Sequence, residues 1–202
     1  MFKTPKRIPT ILFNSFERFA YMHVVASILE QGGLYAGAAR RGEKLVATVL
    51  PVGTLEAAKE NLEKKIRGDG VEFKDDSLCL FVAEKIFRSV RGERVEFDEP
   101  VDLSDLPPFH RRVLEAVKEI GWGTVTTYGA IADRLGKRGA ARAVGNALAA
   151  NPLPLVIACH RVVKSSGEIG GFGYGPELKK KLLQNEGIRI VGDRIHSTRK
   201  NS

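Results

Sequence analysis

Any fold of this chain has to be organised around the stretch EFDEPVDLSDLPPF at residues 96–109, which holds three prolines, five acidic residues and no hydrophobic period. Proline fixes φ and lacks an N–H, so neither a helix interior nor a central strand runs through such a segment. The 202 residues therefore read as two units, residues 1–97 and 109–202, joined by a surface linker at 98–108. Each half is large enough to contribute a real core.

The N-terminal half carries short elements of both kinds. SFERFAYMHVVASILEQ reads as an amphipathic helix over Ser15–Gln31, capped by Ser15 and stopped by Gly32-Gly33. Leu34–Ala39 and Lys44–Leu50 are strand-like runs separated by Arg40-Arg41-Gly42-Glu43, a hairpin signal. Thr54–Ile66 opens on a capping Thr and spaces Leu55, Ala58, Leu62 and Ile66 for a helix. Val82–Phe97 fits helix or strand. The second half turns helical at Pro108–Ile120, where Val113, Leu114, Val117 and Ile120 share one stripe. Thr127–Leu135 and Ala140–Ala150 then read as two short helices across the turn Gly136-Lys137-Arg138-Gly139, the spacing of a helix-turn-helix. Small residues dominate the second of these helices, which lets its backbone come close to whatever it faces.

Charge divides the halves further. Residues 1–100 carry 16 Lys/Arg against 15 Asp/Glu, and residues 101–202 carry 16 against 9. From Leu135 to Lys164 there are five basic residues and no acidic one. The asymmetry points to an anionic partner for the second half, nucleic acid first, against the alternative of a solvated charged surface. The sequence holds no apolar run of membrane-spanning length and no secretory leader pattern, and its composition is that of a globular chain rather than a disordered one. Two cysteines cannot build a disulfide framework, and with four scattered histidines they make no zinc pattern, so neither metal nor cofactor is expected. A reducing, cytoplasmic compartment follows, or a nucleus in a eukaryote.

One position reads as chemical. Leu155–Ala158 is an apolar, β-branched run expected to form a buried strand or extended segment, and it delivers Cys159-His160-Arg161. A lone cysteine after such a run is more often an inert hydrophobe. A base and a cation beside it favour the thiolate that nucleophilic chemistry needs. On an extended strand the two side chains point to opposite faces, so His160 serves Cys159 only through a bend or a bridging water. Cys79, beside Asp75-Asp76, reads as inert.

The run Tyr128, then Ala141-Arg142-Ala143-Val144-Gly145-Asn146-Ala147, then Asn151-Pro152-Leu153-Pro154-Leu155-Val156-Ile157-Ala158-Cys159-His160-Arg161-Val162, resembles the methylated-DNA–protein-cysteine methyltransferases, which remove alkyl groups from guanine O6. The resemblance spans roughly residues 100–188 and is much weaker before residue 97. It departs at Ala158, where the family usually has a proline whose fixed φ would stiffen the cysteine loop. The zinc site of some animal members has no counterpart.

The resemblance implies an α+β fold, with a small ribonuclease H-like α/β unit followed by a mostly helical unit carrying the helix-turn-helix. It implies a monomer acting on double-stranded DNA that contains O6-alkylguanine, bound through the minor groove by Tyr128, Ala141, Arg142, Ala143, Gly145 and Asn146. Arg142 would fill the gap left by a flipped-out base, since a stacked guanine cannot present its O6 substituent to a thiol. Cys159 would take the alkyl group once and irreversibly, His160 would act as base held by Glu186, and Tyr128 would assist the leaving guanine. Asn151, Pro154, Val162, Phe172 and Gly173 would line the base pocket. Two rivals remain. A non-catalytic alkylguanine binder of the same fold lacks the cysteine present here, though Ala158 keeps that reading alive. A helix-turn-helix regulator has no need of Cys159-His160 or of the loop Gly170–Gly175.

Overall fold

The computed structural model describes residues 23–66 and 70–197. Val24–Gln31 (β1), Leu34–Arg41 (β2) and Lys44–Val52 (β3) form an antiparallel meander. Val71–Phe73 (β4) runs parallel to β1 on its free side, giving the order β3-β2-β1-β4. The helix expected over Ser15–Gln31 is corrected for its second half: Val24–Gln31 is β1, while residues 15–22 lie outside the described residues. The apolar spacing of VVASILEQ fits either period. Pairing on both sides decides for the strand, and Gly32-Gly33 serves as a hairpin turn rather than a helix stop.

Leu55–Glu63 (α1) is capped by Thr54, whose Oγ1 accepts the Ala57 N–H at 3.1 Å. It packs Ala58 and Leu62 onto one face of the sheet, against Val24, Ala26, Ala39 and Val49. Ser77–Arg91 (α2) begins at Asp76, which accepts the Cys79 N–H at 3.0 Å, and ends at Gly92. Its Cys79, Val82 and Ile86 join the cluster that contains Ala36, Ala38, Leu45 and Leu50 of the sheet. The small residues of β2 permit this double covering. A side chain at Gly37 would sit 2.7 Å from the Ser27 carbonyl and 3.2 Å from Leu62.

The proline-rich segment is strapped down. Leu45 N–H donates to the Pro100 carbonyl and Asp102 N–H to the Leu45 carbonyl, both at 2.8 Å, so residues 100–102 lie along β3. A buried ion pair between Lys85 and Glu99, at 2.6 Å, holds it to α2.

The rest comprises Pro108–Lys118 (α3), Thr126–Thr127 (β5), Tyr128–Arg134 (α4), Ala141–Ala149 (α5), Val162–Val163 (β6), Pro176–Asn185 (α6) and a hairpin of Arg189–Val191 (β7) and Arg194–Ser197 (β8). β5 pairs in parallel with β6. α4 packs on α5, and α5 on α3. The largest apolar cluster runs without a break from Leu45, Leu50 and Ile86 to Leu114, Val144, Leu153 and Ile157. One core therefore joins the elements before and after the linker. That continuity fixes the geometry of anything built between them.

Candidate active site

The expectation of a strand at Leu155–Ala158 is corrected: the segment is a buried turn. Leu155 has φ of +70°, a left-handed value that costs a non-glycine residue on the order of 1 kcal/mol. Bonds from Ile157 N–H to the Leu153 carbonyl, at 2.8 Å, and from Cys159 N–H to the Ile157 carbonyl, at 2.7 Å, hold the bend. Thr48 of β3 fixes the segment ahead of it. Its N–H donates to the Pro152 carbonyl at 2.9 Å, and its hydroxyl to the Pro154 carbonyl at 3.0 Å. Ala158 has φ of −75°, a value a proline ring also imposes, so the loop keeps the proline-like angle without the ring. Cys159–Arg161 then forms one 3-10 turn, the bend that places two sequence neighbours in different surroundings.

Cys159 is buried, and its sulfur accepts an N–H from the Asn151 amide at 3.2 Å. The same amide nitrogen donates to the Ile157 carbonyl at 3.0 Å, and the Asn151 oxygen accepts the Leu153 N–H at 3.0 Å. Burial pushes the Cys159 thiol up. The Asn151 bond and the ammonium groups of Lys179 and Lys65 pull in the opposite direction. Both lysines are themselves lowered to about 8 by burial. Lys179 donates to the Val162 carbonyl at 2.7 Å and to the Gly171 carbonyl at 3.1 Å. Cys79 differs in kind: burial pushes its thiol up to about 12, beside Asp76.

His160 is almost fully buried, and its Nε2 lies 2.7 Å from Glu186 Oε1. Glu186 sits at the C-terminal cap of α6. It also accepts Arg161 Nε at 2.9 Å and the Gly123 N–H at 3.2 Å. Burial pushes the Glu186 carboxyl up, but the bonds from His160 and Arg161 outweigh it and hold the group below the ordinary carboxylate range. Burial holds His160 below its ordinary value, which favours the neutral ring. With Nε2–H given to Glu186, the remaining nitrogen, Nδ1, is left as the acceptor; it is buried and has no hydrogen-bond partner among the described residues.

A cleft of about 610 Å³ brings Cys159 together with Tyr128, Gly145, Asn151, Pro154, Phe172 and Gly173, all expected at the site. His160 and Glu186 stand behind that lining. The His160 ring meets Phe172 edge-on at 6.4 Å. Val162 lies off the lining, its carbonyl engaged by Lys179. Arg142, Ala143 and Asn146 are exposed on α5, whereas Ala141 and Gly145 are half-buried. Gly170 has φ of +73°, a left-handed value that strains any other residue, and a side chain there would also press to 3.2 Å of the Tyr128 hydroxyl.

The cleft is also lined by Tyr174 of the Gly170–Gly175 loop and by Val52, Asn61 and Lys65 of the N-terminal elements, the last three of which sequence reasoning did not single out. Lys179 was missed too, although Lys179, Leu182, Leu183 and Glu186 follow the inward spacing of one helix face. Among the described residues no group of His, Cys, Asp and Glu is placed to hold a metal ion, and no helix is long and apolar enough to cross a membrane.

Residues 108–188 match the family model of the 6-O-methylguanine DNA methyltransferase DNA-binding domain. The chain is 47% identical over 116 residues to a methylated-DNA–protein-cysteine methyltransferase of Sulfolobus acidocaldarius, covering 57% of this chain and 72% of that protein. The chain belongs to the methylated-DNA–protein-cysteine methyltransferase family. A Methanothermobacter thermautotrophicus methyltransferase of the same name is 40% identical over 130 residues, covering 61% of this chain and 73% of that protein. Among solved structures, Mycobacterium tuberculosis OGT in complex with DNA superposes with a TM-score of 0.65 at 29% identity, covering 80% of this chain and 92% of that one. The O6-methylguanine-DNA methyltransferase of Pyrococcus kodakaraensis superposes with a TM-score of 0.61 at 25% identity, covering 82% and 99%. The structural likeness extends the methyltransferase resemblance into the N-terminal α/β elements, where the sequence motif was weak.

Proposed function

We propose that this protein repairs DNA by moving the O6-alkyl group of guanine, methyl above all, onto Cys159, once per molecule. The observation that carries the reading is the Cys159 sulfur, held by Asn151 in a cleft large enough for a nucleobase, with the buried His160–Glu186 pair starting at the next residue of the same turn.

In the proposed reaction the thiol proton passes to Nδ1 of His160, directly or through a water. Glu186 orients the ring and stabilises the cation that forms. The sulfur attacks the alkyl carbon in line, an S–C bond forms, and the C–O6 bond breaks with its electron pair going to the guanine. The Tyr128 hydroxyl donates a hydrogen bond to the departing base and offsets its charge. The thioether offers no leaving path, so the chain is spent after one event.

For the alkyl group to reach the cleft the nucleotide must leave the stack, at a cost of a few kcal/mol. In this reading α4 and α5 form a helix-turn-helix whose second helix enters the minor groove. Its small residues allow close approach, and Arg142 fills the vacated space. The basic, acid-free stretch 135–164 supplies phosphate contacts. Residues 1–97 form a ribonuclease H-like supporting domain, residues 98–108 a linker, and residues 109–202 the DNA-binding and catalytic domain, in a cytoplasmic monomer. Titrating duplex DNA that contains O6-methylguanine with the protein tests the proposal. Lesion loss, read by nucleoside chromatography, should stop at one guanine restored per chain. Continued loss beyond that ratio, or none, contradicts it.

A further inference from the structure

The loop between β6 and α6 forms one wall of the cleft, and its sequence, Gly170-Gly171-Phe172-Gly173-Tyr174-Gly175, gives it two side chains with which to be held. Glycine-rich backbone has little conformational preference of its own, so the position of this wall depends on its anchors. One is Lys179, which bonds the Gly171 carbonyl at 3.1 Å. The other comes from the opposite half of the chain. The Tyr174 hydroxyl oxygen accepts an N–H from Lys65 Nζ at 3.1 Å and from the Leu50 backbone at 3.2 Å. Lys65 Nζ also lies 5.3 Å from the Tyr174 ring centroid and donates to the Thr48 carbonyl at 2.6 Å. Thr48 is the same residue that fixes the segment ahead of the cysteine turn. Tyr174 in turn contacts Phe172, at 5.9 Å between centroids, and Phe172 meets His160. Lys65 and Tyr174 both line the cleft that Cys159 opens into.

We propose that Lys65 is a specificity-determining residue: by pinning Tyr174 it holds the glycine-loop wall in place, and so favours small O6-alkyl groups over bulky ones at Cys159. This rests on the alkyl-transfer reading above. A wall tied by two donors at one hydroxyl and by Lys179 at its other end yields less readily to a bulky substituent than to a methyl group. A wall released at Tyr174 moves aside and admits one. Lys65 acts through Tyr174 and does not touch the reacting atoms, so it is a positioning residue. Its part in discrimination is read in a ratio of two rates, in which the pull of its ammonium on the Cys159 thiol, common to both substrates, cancels.

The test compares transfer from O6-methylguanine and O6-benzylguanine in the same duplex, in the full-length protein. Lys65→Met keeps the length of the side chain and removes its donors. The benzyl-to-methyl rate ratio should then rise by about tenfold or more, the scale on which pocket shape discriminates hydrocarbon groups. Lys65→Arg retains donors and should return the ratio toward wild type. Tyr174→Phe keeps the ring, removes the acceptor and should shift the ratio the same way; it carries the test if Lys65→Met does not fold. A ratio that stays at the wild-type value in both Lys65→Met and Tyr174→Phe, while the wild type transfers methyl, overturns the role of Lys65 alone. A wild type that transfers neither group overturns the function on which it rests.

Discussion

One amide group of Asn151 donates to both the Cys159 sulfur, at 3.2 Å, and the Ile157 carbonyl, at 3.0 Å. The residue that stabilises a thiolate thus also ties the turn presenting it. Asn151→Ala leaves the buried Leu153 N–H unpaired and takes one of two donors from the Ile157 carbonyl, and should destabilise the fold by roughly 2 kcal/mol in chemical denaturation. It also removes an N–H that favours the thiolate, so the pH–rate profile for reaction with free O6-benzylguanine should move to higher pH. An unmoved profile contradicts the contact's chemical role.

His160 and Glu186 should matter to transfer and not to DNA affinity, because neither is exposed. His160→Ala and Glu186→Gln should slow alkyl transfer by about 10²–10⁴-fold, the usual weight of general-base assistance. Binding to undamaged duplex, measured by fluorescence anisotropy, should be unchanged. Wild-type transfer rates in both variants would remove the pair from the mechanism.

Arg142 is exposed on α5 and does not line the cleft, so its predicted contribution is confined to base extrusion. Arg142→Ala should slow repair of a paired lesion strongly and a mispaired one less, since less stacking is undone. The reaction with free O6-benzylguanine should be spared. Equal losses on free base and duplex would rule the extrusion role out.

Lys179 gives a pH test of the buried cations. Burial lowers it from 10.5 to about 8, so between those values the unfolded chain binds the proton and the folded chain does not. Unfolding free energy from this residue therefore rises with pH across that window. The stability of wild type minus that of Lys179→Met should grow by up to about 3 kcal/mol from pH 8 to 10.5. A difference flat with pH contradicts the shift.

The legible parts of the sequence were those where local chemistry and tertiary demand agree. Thr54 as a cap, the hairpin turn read at Arg40–Glu43 and the helices read at Thr127–Leu135 and Ala140–Ala150, which the structure trims by a residue or so at each end, all follow from short-range rules. Cys159, Tyr128, Asn151 and Pro154 were legible as one motif, and the cleft brings them together. The misreadings share one cause. Val24–Gln31 and Leu155–Ala158 are apolar runs whose form is set by partners far along the chain: β2 and β4 for the first, Thr48 and the Leu155 bend for the second. Lys65 carried no signal at all, because a lysine one turn past Asn61 looks like a solvated helix end until Tyr174 arrives more than a hundred residues later.

The central claim is that Cys159 accepts one alkyl group and keeps it. Intact-mass spectrometry after incubation with excess O6-methylguanine duplex, followed by peptide mapping, tests it directly. The account predicts a gain of one methyl group per chain, located on Cys159, with no further change on longer incubation and no gain in Cys159→Ala. Guanine restored beyond one equivalent, or the methyl group found on Cys79, would contradict it.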